Sequence, residues 1–485
     1  MEAITVPSHS SSSFEGPTQP VRTRRRSPAW RYPTTLLCIY GFFSTVKPLE
    51  PFLIPFLTGP DKNLTMEEVN NEIFPVWTYS YLCVLVPVFL LTDWLRYKPV
   101  VVFQCVMLFI TTALLRWTAA VAAMQVMQFF YGVVTASEVA YFSYIYSVVD
   151  LKRYRRATSY SRSIQLLGYT VGSVLGQLLV SFDLLSYNNI LVLTMVLTAV
   201  ALFTSLFLPM PQRSMFFHQK QKTPQEQGDG MSEARKHSGI SKISLDEVKK
   251  EDEKKPEEDV LLQLWRDFRE CYSSRQLLYW SVWWALATCG YNQTVNYVQV
   301  LWEHVEPSQN FTIYNGGVEA ASNLLSAATA YGIGFTDVRW EQWGELALGG
   351  FSGLGAVALF LMTFIGNIWV CYVAYVVFKC LYMLLITIAM YQLAADLSME
   401  RYALVFGVNN FGALALQTVL TSVVVDSGGL GLSIIPQFTI YSSYFSVISV
   451  VFLLRGVFSV WKAQRNRGKA TSSDKHNSSD LEDRL

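Results

Sequence analysis

QKQKTPQEQGDGMSEARKHSG (219–239) and DEVKKEDEKKPEED (246–259) interrupt a chain that is otherwise strongly apolar. Both stretches are polar, mixed in charge and poor in aromatics, so they cannot bury enough apolar surface to fold by themselves. On either side of them, apolar runs of roughly 20 residues recur, long enough to cross a bilayer as helices. Six such spans precede the break, at 33–57, 73–95, 99–117, 121–149, 158–182 and 186–208. Six follow it, at 276–302, 312–335, 344–364, 367–395, 402–425 and 434–459. The break therefore divides an all-α, polytopic membrane protein six and six.

Composition agrees. Of 485 residues, 51% are hydrophobic and 15% charged, against about 25% charged in soluble proteins. A net charge of +1, with Lys and Arg in short clusters, argues against a nucleic-acid binder. The seven cysteines lie mostly in or beside spans and read as small apolar residues. The expected organisation is a disordered cytoplasmic N-terminus (1–30), an N-terminal bundle (31–209), a largely disordered linker (210–270), a C-terminal bundle (271–462) and a disordered tail (463–485).

Basic residues assign the sides. RTRRR (22–26), Arg96 with Lys98, LKRYRR (151–156), the lysine-rich linker, Arg339, Arg401 and KAQRNRGK (462–469) all fall on one side if there are twelve spans. Lys62 is the exception on the other side. The positive-inside rule then places both termini in the cytoplasm. No cleavable signal peptide is visible, so the first span is expected to act as its own signal. NLT (63–65) falls outside, making Asn63 a glycosylation candidate. Asn310, in NFT beside a span, is a weaker one.

Two bundles joined by a long cytoplasmic loop suggest a transporter of the major facilitator type, with its site near mid-membrane between the halves. A faint repeat agrees: TDWLRYKP (92–99) follows span 2 and TDVRWEQW (336–343) follows span 8. Asp93 with Arg96, and Asp337 with Arg339, are candidate gating groups at helix ends. Ordinary solvated loop charge is the plainer explanation.

Charge inside a bilayer costs about 2.5–3.5 kcal/mol per residue and faces a cavity or a partner. Away from span ends there are five such residues: Lys47, Glu50, Glu138, Glu319 and Lys379. Lys47 and Glu50 are three apart and can pair on one helix face. Pro48, Pro51 and Pro55 are expected to bend that helix. Glu138 has Val134, Thr135, Tyr141 and Phe142 one turn away and no cation. If Lys379 takes one acid and Lys47 another, one carboxylate remains, and its simplest guest is a cation. The competing explanation is a protonated Glu138 in a neutral hydrogen bond, since burial favours the uncharged form.

Aromatic residues accompany these charges in FPVWTYSY (74–81), at Tyr141, Tyr144 and Tyr146, and in WSVWWALATCGYNQTVNYVQVLW (280–302). Bilayer-interface placement would account for Trp280 and Trp302. It accounts less well for Trp77, Tyr141 and Tyr297. Aromatic faces beside carboxylates suit a flat organic cation.

At YGFF (40–43), EPFLIPFLTGPDKNLT (50–65), NEIFPVWTYSYL (71–82), LRYKPV (95–100), YSVVDL (146–151), FLPMPQRSMFF (207–217), CYSS (271–274), SVWWALATCGY (281–291), YNGGVEA (314–320) and MERYALVFGVN (399–409), the chain resembles the reduced folate and thiamine carrier family of the major facilitator superfamily. Its thiamine carriers are the most similar. Where the folate carrier has an arginine on span 4 and a lysine on span 11, this chain has Glu138 and Gln417. Folates are anions and thiamine is a cation, so the change of sign is the one charge complementarity predicts. Lys379 matches a basic position shared with the folate carrier. Relatives tend to have arginine where Lys47 stands.

The resemblance implies a site. Glu138 would face the cation. Glu50 and Asn296 would hydrogen-bond its aminopyrimidine. Phe74, Trp77 and Tyr141 would form aromatic walls, and Glu319, Tyr169 and Lys379 would line the rest. It implies a monomeric plasma-membrane carrier for thiamine working by alternating access, without a cofactor. A protonatable Glu138 would permit proton exchange, and pyridoxine or cationic drugs could share the path. A folate or organic-anion carrier is the nearest alternative, and a thiamine receptor a further one. An integral-membrane enzyme would need a catalytic cluster, and none of the five histidines lies inside a span. No G-x-x-x-x-G-K-[ST] motif is present, which argues against ATP drive.

Overall fold

The computed structural model describes residues 31–148, 151–211, 260–309, 312–333, 340–395, 397 and 399–482. Among these every regular element is helical. In the first half, α1 (Arg31–Thr45), a 3-10 turn (Glu50–Phe52) and α2 (Leu53–Thr58) make a broken first rod. A π turn (Glu68–Ile73) leads into α3 (Phe74–Trp94), followed by α4 (Lys98–Trp117), α5 (Val121–Val148), α6 (Leu151–Ser181) and α7 (Tyr187–Leu206). The second half begins with the short α8 (Val260–Cys271). Then come α9 (Arg275–Val305), α10 (Asn315–Ile333), α11 (Trp340–Phe364), α12 (Ile368–Ala395), α13 (Met399–Leu420) with a π turn (Thr421–Val425), and α14 (Ile434–Glu482).

Nine of these rods are long and apolar enough to cross a membrane. Three further long helices, α5, α9 and α10, fall short of that apolarity. They carry Glu138, Asn296 and Glu319, and the polar residues that lower their hydropathy are those a central cavity requires.

Packing repeats between the halves. The broken first rod packs on α6 and α7, α3 on α5, and α4 on α5 and α7. In the second half α9 packs on α13 and α14, α10 on α12, and α11 on α12 and α14. These are the same partnerships at equivalent positions. The bundles meet through α6 with α10, α3 with α13, and α2 with α9. This is the major facilitator arrangement. Large apolar side chains point outward, among them Phe203 (63% exposed) and Leu454 (69%). Such faces suit lipid and are disfavoured in water.

The first rod breaks where proline removes backbone donors. α1 stops at Thr45, and Pro51 opens the 3-10 turn that begins at Glu50. What holds the broken segment is a stripe on α6: Gly168, Gly172 and Gly176 recur every four residues. A Cβ at Gly168 would meet Thr45 and the Phe42 carbonyl; at Gly172, the Lys47 nitrogen at 2.8 Å; at Gly176, the Pro48 carbonyl. Small residues at this spacing let helix backbones approach closely. We expect Gly172→Ala to lower stability by about 1–3 kcal/mol, because its neighbour is backbone and cannot swing away. Gly350→Ala, with nothing within 4 Å, should be neutral. Thermal unfolding of the purified protein checks both.

Several sequence expectations change. Trp280 and Trp302 are buried in the C-terminal core, 4% and 1% exposed, and are not interface residues. Residues 260–270, assigned to the linker, form α8 together with Cys271. The last helix runs on through the expected tail to Glu482. RTRRR, residues 212–259, Asn310, Asp337 and Arg339 lie outside the described residues.

Candidate functional site

Between the bundles lies a cavity of about 480 Å³. Its charged lining residues are Lys47, Glu50, Glu138, Glu319 and Lys379, the same five that the spans carry in their interiors. Three carboxylates against two ammonium groups leave one formal negative charge.

The hydrogen bonds show where that charge sits. Lys379 Nζ is 2.7 Å from Glu319 Oε2, and Tyr375 donates to Glu319 Oε1 at 2.7 Å. This acid is neutralised by its neighbour on α12. Lys47 Nζ donates to the Tyr131 hydroxyl at 3.0 Å, and that hydroxyl donates to Glu50 Oε1 at 3.4 Å. The expected direct Lys47–Glu50 pair is not formed among the described residues. The proline break redirects the two side chains, and Tyr131 of α5 stands between them. Glu138 receives one hydrogen bond, from Gln165 Nε2 at 3.2 Å. Among the described residues no cation lies within ion-pair distance of it. The surplus carboxylate is Glu138.

Aromatic side chains line the same cavity. Phe74, Trp77, Tyr141 and Tyr169 line the cavity from the N-terminal bundle, and Asn296 from α9. Trp77 Nε1 donates to Thr135 Oγ1 at 3.1 Å, which sets its ring. Tyr141 packs against Tyr40 at 5.8 Å between ring centres. Opposite, Tyr291 lies flat on Tyr382 at 3.8 Å and 10°. All nine candidate substrate contacts thus line one cavity.

Sequence reading missed Tyr131, Gln165 and Tyr291. Two carried a signal. Tyr131 precedes Glu138 by seven residues, and Gln165 precedes Tyr169 by four, so each shares a helix face with a candidate residue. Gln417 does not line the cavity. It is fully buried, accepts from Asn292 at 3.3 Å and donates to Gln293 at 3.3 Å. It sits in an amide network behind the wall and has no direct reach to a guest.

The sequence profile described as "Reduced folate carrier" matches residues 28–440. The chain belongs to the reduced folate carrier family. Human thiamine transporter 1 is 53% identical over 472 residues, covering 93% of this chain and 95% of that one. Human thiamine transporter 2 is 48% identical, covering 91% and 93%. The human reduced folate transporter is 40% identical, covering 88% and 72%. Among solved structures, a POT family transporter in complex with 5-aminolevulinic acid superposes with a TM-score of 0.59 at 12% identity, covering 88% of this chain and 96% of that one. The nucleoside transporter NupG superposes with 0.56 at 13%, covering 88% and 98%. At that identity the likeness establishes the fold.

A member of this carrier family is not an enzyme, and its cavity has to open and close. At the end opposite the termini the bundles are latched. Tyr79 donates to Asp426 Oδ2 at 2.6 Å, and Ser427 N donates to Asn71 O at 3.2 Å. Gln299 donates to Glu50 O at 2.9 Å. Gln177 donates to Ile313 O at 2.7 Å and accepts from Gly317 N at 3.0 Å. At the other end Arg162 approaches Met390 Sδ at 3.8 Å. A hydrogen bond to a carboxylate contributes about 1.5–3 kcal/mol. Tyr79→Phe should therefore shift the carrier toward opening at the latched end by about tenfold or more. The measurement is the labelling rate of Ser173→Cys, in the cavity, by an impermeant thiol reagent added from that side. An unchanged rate would remove Tyr79 from the latch.

Asp93 is buried and accepts from Tyr97 at 2.6 Å, while Arg96 follows it with φ 58°. Both lie at the termini end of α3, away from the cavity. Asn63 is exposed, also at φ 58°, on the loop at the latched end. Lys62 beside it is buried and donates to the carbonyls of Arg116 and Thr118. Burial pulls its pKa down. The basic loop residue that departs from the side assignment is thus a lysine capping a helix end.

Proposed function

We infer that this protein takes up thiamine across the plasma membrane by alternating access. The observation that carries the reading is Glu138. It is the one cavity carboxylate among the described residues with neither an ammonium partner nor a bridge to one, and aromatic rings line the same cavity. A flat organic cation completes its charge and stacks on its walls. The relatives at 53% and 48% identity are named for thiamine, and the reduced folate transporter matches at 40%.

In this reading Glu138 faces the cationic ring, and Phe74, Trp77 and Tyr141 stack beside it. Glu50 and Asn296 bond the aminopyrimidine. Tyr169 lines the N-terminal side, and the Glu319–Lys379 pair holds the C-terminal wall. Protons can exchange through Glu138 in the absence of substrate. The carrier works as a monomer with both termini cytoplasmic, so the latch is the outer gate and the described form is closed to the outside. Asp93 and Arg96 belong to the inner gate, and Asn63 carries a glycan.

The test is uptake of labelled thiamine and labelled reduced folate, in parallel, by cells expressing the protein. We expect saturable thiamine uptake and background folate uptake. Folate uptake without thiamine uptake would overturn the assignment.

A further inference from the structure

One surface of α8 has no role in the cavity or the latch. Leu262, Trp265, Arg266 and Arg269 fall at i, i+3, i+4 and i+7, so they share a single helix face. That face is turned to the outside: Leu262 is 54% and Trp265 63% exposed, and both arginines are exposed. The opposite side is pinned to the protein. Arg401 bonds Glu270 at 2.7 Å and Asp267 at 3.3 Å. Cys271 is buried, and Tyr272 donates to Asn409 at 2.7 Å. The orientation of α8 is thereby set by α13.

Its surroundings name the occupant. A three-residue turn joins α8 to α9, whose Leu278 and Val282, one turn apart, are exposed apolar residues on the lipid side. The α8 face therefore begins where the lipid belt ends, at the termini end of the molecule. Its apolar half offers Trp and Leu, suited to the boundary between headgroups and acyl chains. Its polar half offers the Arg269 guanidinium, a group that binds phosphate oxygens in a fixed fork. The geometry points to α8 as an interfacial helix that docks on anionic phospholipid, seating Trp265 and Leu262 in the membrane and Arg269 on lipid phosphate. Through Arg401 and Tyr272 this contact ties α13, and with it the C-terminal bundle, to the membrane surface.

The test uses the full chain with Trp265 replaced by photoreactive benzoylphenylalanine. The protein is reconstituted in vesicles of phosphatidylcholine alone or with phosphatidylserine. The vesicles are symmetric, so the outcome does not depend on which way the carrier faces or on its substrate. We expect lipid adducts, with a yield that rises about five-fold with phosphatidylserine. Arg269→Lys, which keeps the charge without the fork, should keep part of that rise; Arg269→Gln and Arg269→Glu should lose it while remaining monodisperse. Adducts to the protein's own residues would show that the chain covers this face and would overturn the proposal. So would lipid adducts whose yield ignores phosphatidylserine.

Discussion

Glu138→Gln is expected to lower thiamine uptake at low substrate concentration by about ten- to a hundred-fold, with the amount at the cell surface unchanged. The substitution keeps the volume and leaves an oxygen to accept from Gln165 Nε2, which is 3.2 Å from the native carboxylate. What it removes is the charge. A contact to a charged group is worth about 1.5–3 kcal/mol, and each 1.36 kcal/mol is tenfold. The cavity would then hold two acids against two bases and offer a cation no net attraction. Glu138→Arg reverses the sign and should abolish uptake. Glu138→Asp keeps the charge and should retain part of it. Full uptake by Glu138→Gln would mean that the neutral hydrogen bond is the working state. The same variants assayed with reduced folate would reveal whether the sign of this residue alone selects the substrate.

Lys379→Met is expected to destabilise the protein by about 3–5 kcal/mol, the cost of leaving Glu319 buried beside no cation. The two groups are 2.7 Å apart with side chains 7% and 16% exposed, so water can replace only part of the lost contact. Tyr375 would still donate to Glu319, but a neutral hydroxyl does not balance a carboxylate. The decisive measurement is the double variant Lys379→Met with Glu319→Gln. It removes both charges and should recover most of the thermal stability and surface abundance lost in the single variant. Losses that simply add would show that the pair is not coupled. A stable double variant also asks whether transport needs the pair or only the packing around it.

The class of protein was legible because it depends on run length and composition. Apolar runs of membrane-spanning length, a polar break between six and six, and basic residues alternating by side follow from one-dimensional pattern. The five interior charges were legible for the same reason, since cost in hydrocarbon marks them wherever they sit. The glycine stripe of α6 is equally present in LLGYTVGSVLGQ (166–177), but its spacing does not name the backbone that approaches it. Trp280 and Trp302 were misjudged because helix ends are polar on average, and only packing reveals that these ends lie inside the bundle. Gln417 was read as a site difference because a position in sequence carries no depth.

By itself, then, the sequence determined that three acids and two bases lie inside the spans, one acid in excess. It pointed to Glu138 but did not show how the other four charges pair. Lys47 and Glu50 look paired at three residues apart, yet the proline break turns them so that Tyr131, from another helix, mediates between them. Lys379 and Glu319 are 60 residues apart and bond directly. Pairing between helices is set by how rods pack side by side, and spacing along one rod holds no record of that. The tertiary structure decided the pairing of the other four charges, which leaves Glu138 without an ammonium partner.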